Sequence, residues 1–276
     1  MIINHNLNAM NSHRNMGINT GNSAKSMEKL SSGLRINRAG DDAAGLSISE
    51  KMRAQIRGLD QASRNSQDGI SLIQTAEGSL NETQSILQRM RELSVQAAND
   101  TNVTVDRTAI QAELTSLTSE IDRIANTTQF NEKNLLNGDL GTTGAKLQIG
   151  ANNDTNLTLE IKISKMDSTS LTITATDVKV GDNAEATASI TKINDAIKAV
   201  STQRSSLGAY QNRLEHTIAN LDNASENLQA AESRVRDVDM AKEMMNFSKS
   251  NILQQASQAM LAQANQAPQG VLQLLR

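Results

Sequence analysis

The sequence predicts a mainly α protein, an elongated antiparallel coiled-coil helical bundle with a small antiparallel β-hairpin region inserted mid-chain. Three observations predict it. Ile193, Ile197, Val200, Leu207, Leu214, Ile218, Leu221, Leu228 and Val235 recur in three-four alternation, which places them on one stripe of a helix facing a coiled-coil partner. A second seam, Ile73, Ala76, Leu80, Thr83, Leu87, Met90 and Ala97, and a third, Ile110, Leu114, Leu117, Ile121 and Ile124, repeat the pattern earlier in the chain. The composition is thin for a globular core: 37% of residues are hydrophobic, and Phe130, Tyr210 and Phe247 are the only aromatics among 276 residues.

Residues 1–35 read as an amphipathic helix, with Ile3, Leu7, Met10, Met27, Leu30 and Leu34 on helical spacing. Gly17 and Gly21 weaken its middle by about 1 kcal/mol each relative to alanine. Asn37 to Asp42 form a break in which Asp41 or Asp42 caps the next helix. That helix runs from about 43 to 98, and another from about 108 to 127, with Thr108 and Gln111 at capping-box spacing. A helix over about 187–238 matches the 43–98 helix at roughly 80 Å, so the two are expected side by side.

Between them the period changes to two. Leu157, Leu159, Ile161 and Ile163 alternate with polar residues, as do Leu171 and Ile173, then Val178 and Val180, which predicts half-buried antiparallel strands within about 140–182. The polar residues Arg204, Gln211, Ser225 and Glu232 interrupt the 193–235 stripe and are expected to fix register. The last segment, 240–276, is helical but weakly apolar. Met240, Met244, Met245, Phe247, Ile252, Leu253, Met260 and Leu261 form a stripe, and Val271, Leu272, Leu274 and Leu275 a greasy tip before Arg276. Terminal helices that are weak alone and sticky at the tip point to order gained on assembly.

Nothing here reads as catalytic. His5, His13 and His216 are scattered without ligand spacing, and no phosphate loop or nucleophile elbow occurs. No cofactor and no metal are expected. The net charge of −3 argues against nucleic acid as a partner, and no apolar window is long enough to span a membrane. The N-terminal stretch lacks a basic n-region and an apolar h-region, so a cleaved signal peptide is not expected. Arg89 and Leu93 stand one helical turn apart beside the seam, a solvated face or a contact surface.

The stretches Met27-EKLSSGLRINRAGDDAAGLSISEKMRAQIRGL-Asp60, Ser66-QDGISLIQTAEGSL-Asn81, Gln88-RMREL-Ser94 and Glu120-IDRIANTTQFNEKNLLNG-Asp139 closely resemble bacterial flagellin. Ser206-LGAYQNRLEHTI-Ala219, Ala231-ESRVRDVDMAKEM-Met245 and the final Gln273-Leu274-Leu275-Arg276 resemble the family's C-terminal half. The resemblance covers about residues 1–140 and 188–276. It implies a structural subunit that polymerises with itself into the flagellar filament used for swimming, secreted to the cell exterior without a cleaved signal. It also implies an inner terminal hairpin of 1–42 with 237–276, and a rod domain of 43–187 with 188–236.

The partners implied are an export chaperone, filament cap and hook-junction proteins, a host Toll-like receptor and an intracellular inflammasome sensor. Arg89, Leu93 and Glu113 match the receptor contacts. Val271, Leu272, Leu274, Leu275 and Arg276 lie in the segment assigned to the sensor, the chaperone and core packing. Three rivals stand beside this reading. A hook–filament junction protein would diverge in the 40–80 and 88–140 blocks. A coiled-coil signalling hairpin would lack central strands, and an enzyme in the variable region would need far more than about forty residues.

Overall fold

The computed structural model describes the backbone of residues 6–274 and the side chains through residue 266. Ile3, His5, Leu275 and Arg276 therefore lie outside the described residues, as do the side chains of Val271, Leu272 and Leu274. The protein is mainly α-helical, with α1 at Leu7–Ser32, α2 at Ala43–Ala97, α3 at Thr104–Thr127, a single turn α4 at Asp139–Thr142, α5 at Asn183–Arg236 and α6 at Met240–Leu274. Two short antiparallel strand pairs join them: β1 (Gln129–Phe130) with β2 (Lys133–Asn134), and β3 (Ala145–Gln148) with β4 (Thr158–Ile161).

Asx side chains start four of the long helices. Asn6 Oδ1 accepts from Ala9 N, Asp42 Oδ1 from Gly45 N, Asp182 Oδ1 from Glu185 N and Asp239 Oδ1 from Lys242 N. Each answers a backbone donor that the first turn leaves unpaired. The α3 start departs from expectation. It lies at Thr104, where Val103 N donates to Asp106, and Thr108 sits a turn inside with its hydroxyl on the Thr104 carbonyl. Val103 has no side-chain acceptor, so only the acidic half of a capping box is present.

The chain divides into two compact units, residues 1–54 with 227–276 and residues 55–226. The second unit holds the apolar core. Ile73, Ala76, Leu80, Thr83, Leu87, Met90, Ser94 and Ala97 of α2 are all buried in unbroken three-four alternation. They meet Ile110, Leu114, Ile121 and Ala125 of α3 and Ile193, Ala196, Val200, Leu207 and Leu214 of α5. α2 and α5 run antiparallel here: Ser63 donates to Asp222, Ser225 donates to Asp60, and Arg204 donates to Gln84 and Glu77.

The buried stripe of α5 differs from the sequence stripe at alternate steps. Ala196 and Gln203 are buried, whereas Ile197 and Arg204 are half-buried on the flank. Two further helices and the central loop pack around α5, so its covered arc is wider than a two-stranded seam and is centred one residue away. Arg204 is thus a lateral bridge to α2, and Gln203 is the polar residue inside. Gln203 donates to Lys162 O and accepts from Ser164 N. Ile218, Leu228 and Val235 are half-buried, while Leu221 is buried.

The central region corrects the strand prediction. The 157–164 run forms β4 in part, but its partner is 145–148, with Leu147 opposite Leu159. Residues 171–180 form no ladder, although Leu171, Ile173, Val178 and Val180 are buried with the predicted alternation. Side chains and turns satisfy the backbone instead. Gln111 donates to Val178 O and accepts from Val180 N, Ser189 bridges Lys179 N and O, and Asp122 accepts from Ser168 N. Thr172 takes a positive φ of 54°, which breaks any continuous strand. At Gly69 of α2 an added Cβ would overlap Leu147, so this glycine lets β3 lie close against the helix.

Candidate assembly surface

The first unit is built from α1 and α6 running antiparallel. Asn6 Nδ2 donates to Ala264 O at 2.6 Å, Asn19 Nδ2 to Ser257 Oγ at 3.3 Å and Ser23 Oγ to Asn251 Oδ1 at 2.8 Å. Backbone bonds close the open end of the hairpin, Arg35 N to Arg236 O and Val238 N to Gly33 O. Gly33, at φ 72°, ends α1 in the left-handed region that glycine adopts without penalty.

The apolar order of this hairpin is inverted. The α1 positions turned toward α6 follow heptad steps through Ala9, Ser12, Met16, Asn19, Ser23, Ser26 and Leu30. The matching α6 positions are Glu243, Phe247, Ser250, Gln254, Ser257, Leu261 and Ala264. The seam is mostly small and polar, and Ser26 is the only buried residue of α1. Met16, Leu30, Phe247 and Leu261 are its large apolar members, and most other large apolar side chains point away from it. Leu7 is 69% exposed, Met245 67% and Ile252 66%, and among the described residues eleven of fourteen exposed large hydrophobics belong to this unit. Met244, Met245, Ile252 and Leu253 line an open hollow of about 500 Å³ with Ser248 and Lys249. Burying one such side chain yields about 1.5–3 kcal/mol, so a hairpin that leaves them wet is poorly stabilised by itself and strongly stabilised by a cover.

The turn from α1 to α2 is held electrostatically. Asp41 Oδ2 accepts from the backbone N–H of Arg38 and Asn37, and these two bonds hold its carboxyl below the ordinary aspartate value. Nearby, Arg236 of α5 reaches Glu50 of α2 at 3.0 Å.

On the second unit, Arg89 and Glu113 meet. Arg89 Nη2 and Nε both donate to Glu113 Oε1, at 2.9 and 3.1 Å, and donating to this carboxylate raises the guanidinium's pKa. Both side chains are about half exposed. Leu93 does not share that surface: at 2% exposure it belongs to the apolar core, because the step from Arg89 turns it onto the buried stripe of α2. Val95, two residues on, is the exposed apolar neighbour.

Among the described residues no group of three or more His, Asp or Glu side chains is placed to hold a metal ion, and no helix is long and apolar enough to cross a membrane. Sequence reasoning missed Gln111, Asp122, Ser189 and Gln203 as anchors of the central loop. Single polar residues on predicted helices carry no signal that their target is a distant backbone. It also missed that the terminal stripes face outward.

Two family descriptions match the chain, the bacterial flagellin N-terminal helical region at residues 3–140 and the bacterial flagellin C-terminal helical region at residues 190–275. A flagellin of Halalkalibacterium halodurans is 65% identical over 276 residues, covering all of both chains. One from Bacillus subtilis is 55% identical, again over the full length of both. Among solved structures, a flagellar hook-associated protein from Vibrio parahaemolyticus aligns with a TM-score of 0.59 at 15% identity, over 71% of this chain and all of that one, which shows a shared fold alone. This chain belongs to the bacterial flagellin family.

Proposed function

We propose that this chain, by family a structural subunit of the extracellular bacterial flagellar filament, joins the filament through its terminal hairpin, residues 1–42 with 237–276. Residues 43–236 then form the sleeve that gives the filament the stiffness swimming requires. The observation that supports this is the inverted hairpin, whose mostly small and polar seam faces inward and most of whose Leu, Ile and Met side chains face outward. A surface of this kind is covered when identical subunits pack around an axis. Full-length similarity to flagellins favours a filament subunit over a hook–filament junction protein or a signalling hairpin. Purified subunit added to short filament seeds is expected to lengthen them in electron micrographs. Seeds that keep their length at high subunit concentration would contradict the reading.

The same surface calls for cover before assembly. An export chaperone shielding the C-terminal helix, a cap protein at the growing tip and a hook-junction protein at the base fit that need. Two host partners are proposed as well. The exposed Arg89–Glu113 pair is the anchor a Toll-like receptor would read, with Leu93 supporting the face from the core, and Leu272, Leu274 and Leu275 are the segment for an inflammasome sensor. In a receptor reporter assay on monomer, Arg89→Ala with Glu113→Ala is expected to weaken the response at least about tenfold, the scale of one lost interfacial hot spot. An unaltered response would remove that partner.

A further inference from the structure

The chain has no cysteine, so its sulfur chemistry rests on eleven methionines. Their placement is uneven. In the unit formed by residues 55–226 the two methionines, Met90 and Met166, are buried in the apolar core. In the unit containing the terminal hairpin, Met10, Met27, Met240, Met244, Met245 and Met260 are all exposed among the outward-facing apolar side chains. Three of these cluster at the start of α6, where Met244 and Met245 form part of the open hollow beside Ile252 and Leu253.

We infer that the exposed thioethers at Met240, Met244 and Met245 are a site of reversible oxidation that controls entry of the subunit into the filament. The inference rests on the assembly role proposed above. A two-electron oxidant such as hydrogen peroxide transfers one oxygen to the sulfur lone pair. The O–O bond breaks and an S–O bond forms; sulfur is oxidised to the sulfoxide, and the other peroxide oxygen leaves as water. The product is polar and chiral where assembly needs a flexible apolar filler, so it opposes burial without touching the core of the other unit. Once a second copy covers the hollow, the same sulfur atoms lie out of reach of the oxidant. Free subunits are then sensitive and assembled ones protected.

The test compares wild-type subunit before and after mild hydrogen peroxide treatment, with peptide mass spectrometry locating sulfoxide and seed elongation giving the rate. Sulfoxide is expected at Met240, Met244 and Met245 but not at Met90 or Met166, with elongation at least about tenfold slower. Treatment with the two methionine sulfoxide reductases is expected to restore the rate. In a Met10→Leu, Met27→Leu, Met260→Leu background, which leaves only the α6 cluster among the exposed methionines of the described residues, wild-type-like slowing is expected. Adding Met240→Leu, Met244→Leu and Met245→Leu, which keeps the apolar volume, is expected to make elongation equal before and after peroxide. Unchanged elongation by oxidised wild type overturns the inference and leaves the assembly role standing. Slowing that the reductases do not reverse, or that persists once all six are leucine, overturns it too. Untreated wild type that adds to no seed overturns the assembly role, and this inference with it.

Discussion

Removing residues 1–35 is expected to abolish filament growth while leaving a folded protein. The deletion takes away α1 and with it the outward Leu7, Met10, Ile18 and Met27. If assembly buries each for about 1.5–3 kcal/mol, the loss exceeds 6 kcal/mol in round terms, and even a third of that raises the critical concentration more than about tenfold. Residues 55–226 keep their own core of α2, α3 and α5 side chains, none of which lies on α1. Thermal unfolding of that unit should therefore persist, followed by circular dichroism, while electron micrographs show no filaments. Filaments from the truncated chain would mean that α1 is dispensable for the contacts between subunits.

The second large effect separates outward from inward positions on a single helix. Changing Met245→Gln with Ile252→Gln places polar amides in the hollow of α6 but keeps side chains that suit a helix. Both residues are about two-thirds exposed in the subunit, so monomer stability should move by no more than about 0.5 kcal/mol. The critical concentration for assembly should rise by about two orders of magnitude, since two side chains of this size lose their burial. The monomer's melting temperature and the sedimented fraction after seeding report the two halves independently. Equal critical concentrations would show that this face stays wet in the filament.

The helices were legible because their period is unambiguous. The stripe from Ile73 to Ala97 needs one helix and one neighbour, and every predicted member is buried. The α5 stripe was readable to within one residue. A seam drawn for two helices cannot register that the central loop also reaches Gln203 through Lys162 O and Ser164 N. Period-two alternation at 171–180 correctly marked which residues turn inward, but not that Gln111, Ser189 and local turns take over the backbone bonds of a ladder. Alternation reports burial, and only pairing partners make a strand.

The terminal helices posed the opposite problem. Their apolar residues were visible on helical spacing, and ordinary reasoning would turn such a stripe toward the nearest helix. The structure turns Ala9, Ser12, Asn19 and Ser23 to the seam and leaves Leu7, Met10 and Ile18 outside. Their weakness and apolar tip pointed to order gained on assembly, but not to that orientation. Leu93 shows the same limit at small scale: proximity to Arg89 in sequence could not say that the next turn faces the core.

Amide hydrogen exchange in free subunits and in filaments tests the inverted hairpin most directly. Among the described residues of α1 and α6 no large apolar side chain is fully buried in the subunit, so their amides should exchange with little protection when free and become strongly protected in the filament. Buried helical segments of residues 55–226 should be protected in both states. Equal protection of α1 and α6 before and after assembly would contradict the claim that their outward apolar faces are what the filament buries.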